Sequence, residues 1–245
     1  MRSGGLGHLI SWLESDEEDV KTQAARAMLA IASNNATTQT IIGSHAGVPP
    51  LVGVMRDGPL QAKEHSICAL WHLATLKKNH SHILKCGGIP PTVAMLSIDG
   101  DIAPQLATML LLRLAEASRR AALAIADAGA IHPLVLLLDP ENATFSTQQM
   151  AAATLAALAN VSRNRDPIVN AGAIKPLIML VKSTTLATPE ATARALAHLA
   201  KEEADDDDVC NKNHSNSLCF LCSFLDISQL PATILTTCGC FLLHR

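Results

Sequence analysis

Residues 79–86 read NHSHILKC, and His80, Ser81, His82 and Cys86 bring together imidazole and thiol groups of the kind that ligate zinc. Their spacing fits no four-ligand site and no complementary pair lies nearby in sequence, so a solvated loop entering a helix is expected instead. Near the end of the chain, five of the seven cysteines (Cys210, Cys219, Cys222, Cys238 and Cys240) fall within 31 residues. Cys219 and Cys222 with Cys238 and Cys240 form the weaker zinc alternative, because C-x-C makes a poor second knuckle. Glu64, His65 and Cys68 place a carboxylate, an imidazole and a thiol within about one helical turn, the parts of an activated thiol nucleophile. That turn is alanine-rich and offers no oxyanion donors, so packing is the expected role. The chain contains no glycine-rich phosphate loop, no HExxH pair and no nucleophile elbow. No catalytic residue, cofactor or metal is expected.

These side chains are carried by a repeated unit. AGAIHPLVLLL at 128–138 returns as AGAIKPLIMLV at 171–181, and shorter versions start at Gly5, Gly47 and Gly88. With Ala130 and Ala173 the anchors lie at 5, 47, 88, 130 and 173, spaced by 42, 41, 42 and 43 residues. A helical period in the low forties marks a stacked solenoid, in which no unit buries its apolar face alone. Gly87, Gly129 and Gly172 precede three anchors, where a helix must stop in a left-handed conformation that glycine tolerates. Pro50, Pro91, Pro133 and Pro176 follow by three residues, inside the first turn of the next helix, where a missing N–H costs nothing. A short apolar stripe, a polar gap and a longer alanine-rich helix complete each unit.

The phrase AGAIKPLIMLV followed by PEATARALAHLA resembles the armadillo repeat, over about residues 5–201. The expected fold is all-α: a right-handed superhelical armadillo (ARM/HEAT-like) solenoid of about five repeats, occupying residues 1–204. The first unit starts at its middle helix and the fifth ends near Ala200 without a polar cap, so the chain is expected to be a segment of a longer array or a shortened product. The resemblance implies that third helices line a groove in which partners lie as extended peptides. Aligning the ends AMLAIA, ALWHLA, LLLRLA, TLAALA and ALAHLA gives the column Ala30, His72, Arg113, Ala157 and His198, where the family usually carries asparagine. One turn earlier lie Arg26, Cys68, Met109, Ala153 and Arg194, where importin-alpha-like members carry tryptophan; Trp71 falls off that column. A further turn back lie Thr22, Glu64, Gln105, Gln149 and Glu190, all polar, so this helix face is expected to be wet. Groove candidates are therefore Arg26, Glu64, His72, Gln105, Arg113, Gln149, Glu190, Arg194 and His198, in a weakly positive setting that suits backbone carbonyls or an acidic peptide.

Composition bounds the rest. Of 245 residues, 49% are hydrophobic and 2% aromatic, so the core is aliphatic and rich in alanine, which suits close helix packing. Residues 1–204 balance 17 basic against 17 acidic side chains, which gives no footprint for nucleic acid and makes a membrane partner unexpected. Residues 205–245, an acidic linker from Asp205 and a cysteine-rich apolar tail, fall outside the repeat; Asp226 and Pro231 argue against a membrane anchor there. With no secretory h-region at the start, the cysteines are expected to be reduced and the location cytoplasmic, with the nucleus open to it. The expected function is a non-catalytic protein-binding module or scaffold. Rivals are the substrate-binding arm of a ubiquitin ligase whose U-box is absent, and a nuclear-transport adaptor, which the missing asparagine and tryptophan ladders disfavour. A membrane-associated adaptor of the vacuolar type would need glycine where Arg2 stands to be myristoylated.

Overall fold

The computed structural model describes residues 4–44, 46–183 and 189–199. Fourteen α-helices and two 3-10 turns fill them, and no strand occurs among the described residues. The chain divides into two compact units between Pro133 and Leu134.

In the first unit, α1 (Gly4–Leu13) and α2 (Glu18–Ala32) are a middle and a third helix with no first helix before them among the described residues. Two full triads follow: α3 (Ala36–Ser44), α4 (Val48–Asp57) and α5 (Leu60–Leu73), then α6 (Lys77–Lys85), α7 (Ile89–Ala94) and α8 (Ile102–Ala117). A third triad opens with α9 (Arg119–Asp127) and α10 (Ile131–Leu136). In the second unit, α11 (Phe145–Ala159) completes that triad in sequence, and α12 (Arg165–Asn170), α13 (Ile174–Ser183) and α14 (Pro189–Leu199) form the last.

Third helices pack side by side, α2 on α5 and α5 on α8 in the first unit, α11 on α14 in the second. Alanine makes this close approach possible: Ala25, Ala62, Ala69 and Ala107 are fully buried between larger Met28, Ile67, Leu70, Leu110 and Leu111. Each such leucine or isoleucine contributes about 1.5–3 kcal/mol by leaving water. In the second unit Ala151, Ala152, Leu155, Leu158, Ile168 and Leu177 do the same.

The hinges repeat in atomic detail. Gly87, Gly129 and Gly172 sit at φ 71°, 82° and 81°, and a Cβ there would touch nothing, so backbone conformation alone selects glycine. Each is followed by a bond closing the helix end: Gly88 N–H to Ile83 O (2.9 Å), Ala130 N–H to Ile125 O (3.3 Å), Ala173 N–H to Ile168 O (3.4 Å). The hinge before Gly47 has the same bond, to Ile42 O at 3.0 Å, but there Ala46 takes the left-handed conformation, φ 55°.

A second periodic device ties each third helix to the first helix that follows. Thr38 Oγ1 donates to Ile31 O (2.8 Å) and Gln39 Nε2 to Ala32 O (3.0 Å). In the next repeat Asn79 Nδ2 donates to Leu73 O (2.8 Å) and His80 Nε2–H to Ala74 O (2.6 Å). In the second unit Asn164 Nδ2 donates to Leu158 O and Arg165 Nε to Ala159 O, both at 3.1 Å. These side chains satisfy carbonyls that a helix end leaves open. At the equivalent place after α8 stand Ala121 and Ala122, and the turn is held instead by Ser118 Oγ accepting from Ala121 N–H at 3.1 Å.

Candidate functional site

In the first unit the last turn of α5 and the turn before the last of α8 bring Trp71, His72 and Arg113 together. The Arg113 guanidinium carbon lies 4.9 Å from the centre of a Trp71 ring, and the Trp71 and His72 rings meet edge to face at 4.8 Å. All three are half-buried. Arg113 Nε is shielded from solvent and has no hydrogen-bond partner, so part of its fork is committed to stacking. Burial pushes the His72 pKa below its ordinary value of 6.5, and the Arg113 charge pushes it the same way. A neutral His72 offers one N–H donor and one acceptor.

Closer to the start of α5, Glu64 and His65 face Arg26 of α2. Burial lowers the His65 pKa, the Arg26 charge lowers it further, and Glu64 opposes both. Arg26 is exposed and borders a cavity of about 790 Å3 between α1 and α2, which is also lined by Trp12, 51% exposed. Cys68, between these two clusters on α5, has its thiol pKa raised by burial, which keeps it protonated and unreactive.

The polar column is not uniformly wet. Thr22 is buried and its hydroxyl donates to Glu18 O at 2.8 Å, because α2 uses that position against its neighbours. Glu64 and Gln105 are half-buried, and Ala30 is exposed. In the second unit Gln149, Ala153 and Ala157 of α11 are half-buried, so α11 carries no cation on these columns. On α14 Arg194 is exposed and His198 half-buried; Glu190 lies in its first turn, its side chain outside the described residues.

His80 is accounted for by its bond to Ala74 O, and no group of three or more possible metal ligands occurs among the described residues. Cys219, Cys222, Cys238 and Cys240 lie outside them. No helix among the described residues is long and apolar enough to cross a membrane.

Three features escaped the sequence: the Trp71–Arg113 stack, the exposed Trp12, and the ladder of side chains linking third to first helices. Only the last left a trace, a polar residue nine positions before three of the anchors (Thr38, Asn79 and Asn164).

The order of helices, the repeated hinge and the stacked third helices define an armadillo-like repeat fold. The chain is similar to Vacuolar protein 8 of Schizosaccharomyces pombe, with 30% identity over 199 residues, 80% of this chain but 36% of that protein. It therefore spans little more than a third of that relative. Among solved structures it is similar to computationally designed armadillo repeat proteins for modular peptide recognition, with TM-score 0.76 and 20% identity over 95% of this chain and 96% of the other. It is also similar to a designed armadillo repeat protein in complex with the peptide (KR)4, with TM-score 0.75 and 19% identity over 95% of both chains. At these identities the designed proteins establish the fold alone. No protein-family model matches the chain.

Proposed function

We infer that the chain is a non-catalytic binding module that takes an extended peptide along the third helices of its first unit, with acidic side chains meeting Arg113 and Arg26. The observation that carries this is the Trp71–His72–Arg113 cluster: a cation braced by an indole beside a neutral imidazole donor. An arginine held in place loses less rotamer freedom when it meets a carboxylate. The designed relative holds a lysine–arginine peptide. Here the columns carry Arg26, Arg113 and Arg194, so the sign of the preferred charge is reversed. Glu64 and Gln105 would receive backbone N–H groups. On the second unit Arg194, His198 and Gln149 are proposed to serve the same chemistry, with Glu190 beside them. Partners are proteins or peptides rather than nucleic acid or membrane, and the chain works in the cytoplasm, where Cys68 and Cys86 remain thiols.

The arm of a ubiquitin ligase remains the second reading, since it would use the same face. The test is retention of a co-purified partner by the native chain and by Arg113→Glu at matched thermal stability. The change turns attraction into repulsion at the cluster, and affinity should fall at least about tenfold. Equal retention would remove this face from the account.

A further inference from the structure

A second charged surface lies away from these columns. The first-unit helices α6 and α9, with the start of α7 and the end of α8, enclose a cleft of about 540 Å3. Lys77, Lys85 and Arg120 line it with the hydroxyls of Ser81 and Ser118, and none of its lining residues among the described ones is acidic. Lys77, Lys85 and Arg120 are exposed and make no ion pair among the described residues. Three cations that line one cleft with no carboxylate among its described lining residues repel one another, and the free chain keeps that cost. A compact dianion relieves it better than one carboxylate does. The hydroxyl of Ser118 is already used to cap α9, so the side-chain cations carry the attraction.

The remaining wall is apolar, formed by Leu84, Ile89 and Pro90 among others. A free phosphate would leave that wall uncovered, whereas residues flanking a phosphorylated side chain would cover it. A membrane headgroup suits the site less well. Among the described residues, none of the large exposed apolar side chains (Trp12, Leu60, Ile102, Leu136, Phe145 and Met179) lines the cleft to enter a bilayer beside it.

We propose that this cleft binds a phosphorylated serine or threonine of a partner peptide, with Lys77, Lys85 and Arg120 on the phosphate and the accessible faces of Leu84 and Pro90 against its neighbours. This site shares no residue with the columns of α2, α5 and α8, so it stands or falls separately from the peptide face proposed above.

The test follows backbone amide resonances of the full chain during titration with a capped leucyl-prolyl-phosphoseryl-leucine peptide. Parallel titrations use the unphosphorylated peptide, inorganic phosphate, and phosphatidylcholine vesicles containing phosphatidylserine. The phosphopeptide should shift Ser81, Lys85 and Arg120 saturably and more tightly than inorganic phosphate. The double substitution Lys85→Ala with Arg120→Ala, at two exposed positions, should weaken it by about tenfold or more. Equal binding of the unphosphorylated peptide, equal affinity for inorganic phosphate, binding of vesicles alone, or an undiminished affinity in the double variant would each overturn the assignment.

Discussion

Arg113 of α8 stacks on Trp71 of α5, with its guanidinium carbon 4.9 Å from a ring centre, and the contact joins the third helices of two successive repeats. It fixes a cation on a surface where a solvated arginine would otherwise sample many rotamers. A double-mutant cycle with Trp71→Leu and Arg113→Met should give a coupling energy of about 0.5–1.5 kcal/mol in denaturant unfolding. Additive effects would mean that the stack contributes nothing to the fold.

The charge on Arg113 also bears on His72. Folded His72 has its pKa lowered, so the unfolded chain takes up the proton first as pH falls. Stability from this group is complete above the ordinary value of 6.5 and is lost as pH falls from there through the lower folded value. His65 acts in the same direction, for burial and for Arg26. The unfolding midpoint should therefore drop on acidification below that value, and His72→Gln should flatten the dependence. An unchanged slope in His72→Gln would show that His72 is as readily protonated folded as unfolded.

The hinges make a prediction with opposite signs at two sites. At Gly129, φ 82°, Gly129→Val should destabilise by about 1–3 kcal/mol, and Gly129→Asn by less, because asparagine tolerates the left-handed region. At Ala46, φ 55°, the strain is already present, so Ala46→Gly should stabilise by about 0.5–1 kcal/mol, the relief offset in part by unfolded-chain entropy. Thermal unfolding checks both, and a stabilising Gly129→Val would refute the hinge account.

Gly43 presses against the amide of the buried Asn79 that holds Leu73 O, and a Cβ at Gly43 would collide with it. Gly43→Ala should cost about 1–3 kcal/mol through loss of that tether or overpacking. Asn79→Ala combined with Gly43→Ala should cost less than the sum of the two. Strict additivity, measured by denaturant unfolding, would place the two changes in separate environments.

The architecture was legible in the sequence because glycine and proline have backbone properties that no other residue shares. AGAIHP and AGAIKP announced both the end of one helix and the start of the next. The hinge at Ala46 did not, since alanine there is chosen against its preference. The columns were legible in register: His72 and Arg113 do fall on successive packed third helices. Their environment was not. Thr22 reads as a polar surface residue and is buried, and Trp71 lies off the expected column yet receives the arginine of the next helix. Both depend on the lateral offset between neighbouring helices, which side-chain volumes across the core set. A single chain of letters carries no measure of that offset. The charged cleft of Lys77, Lys85 and Arg120 was hidden for the same reason, because its cations come from α6 and α9, more than thirty residues apart.

The central claim is that the third-helix face of the first unit prefers an acidic extended peptide. Isothermal titration of the full chain with a glutamate-rich peptide and with a lysine–arginine peptide of equal length tests it most directly. The account predicts saturable binding of the glutamate-rich peptide, weakened by added salt and by Trp71→Leu or Arg113→Glu, with the lysine–arginine peptide bound at least about tenfold more weakly. Binding of the lysine–arginine peptide as tightly as the glutamate-rich one, or unchanged affinity in Arg113→Glu, would contradict it.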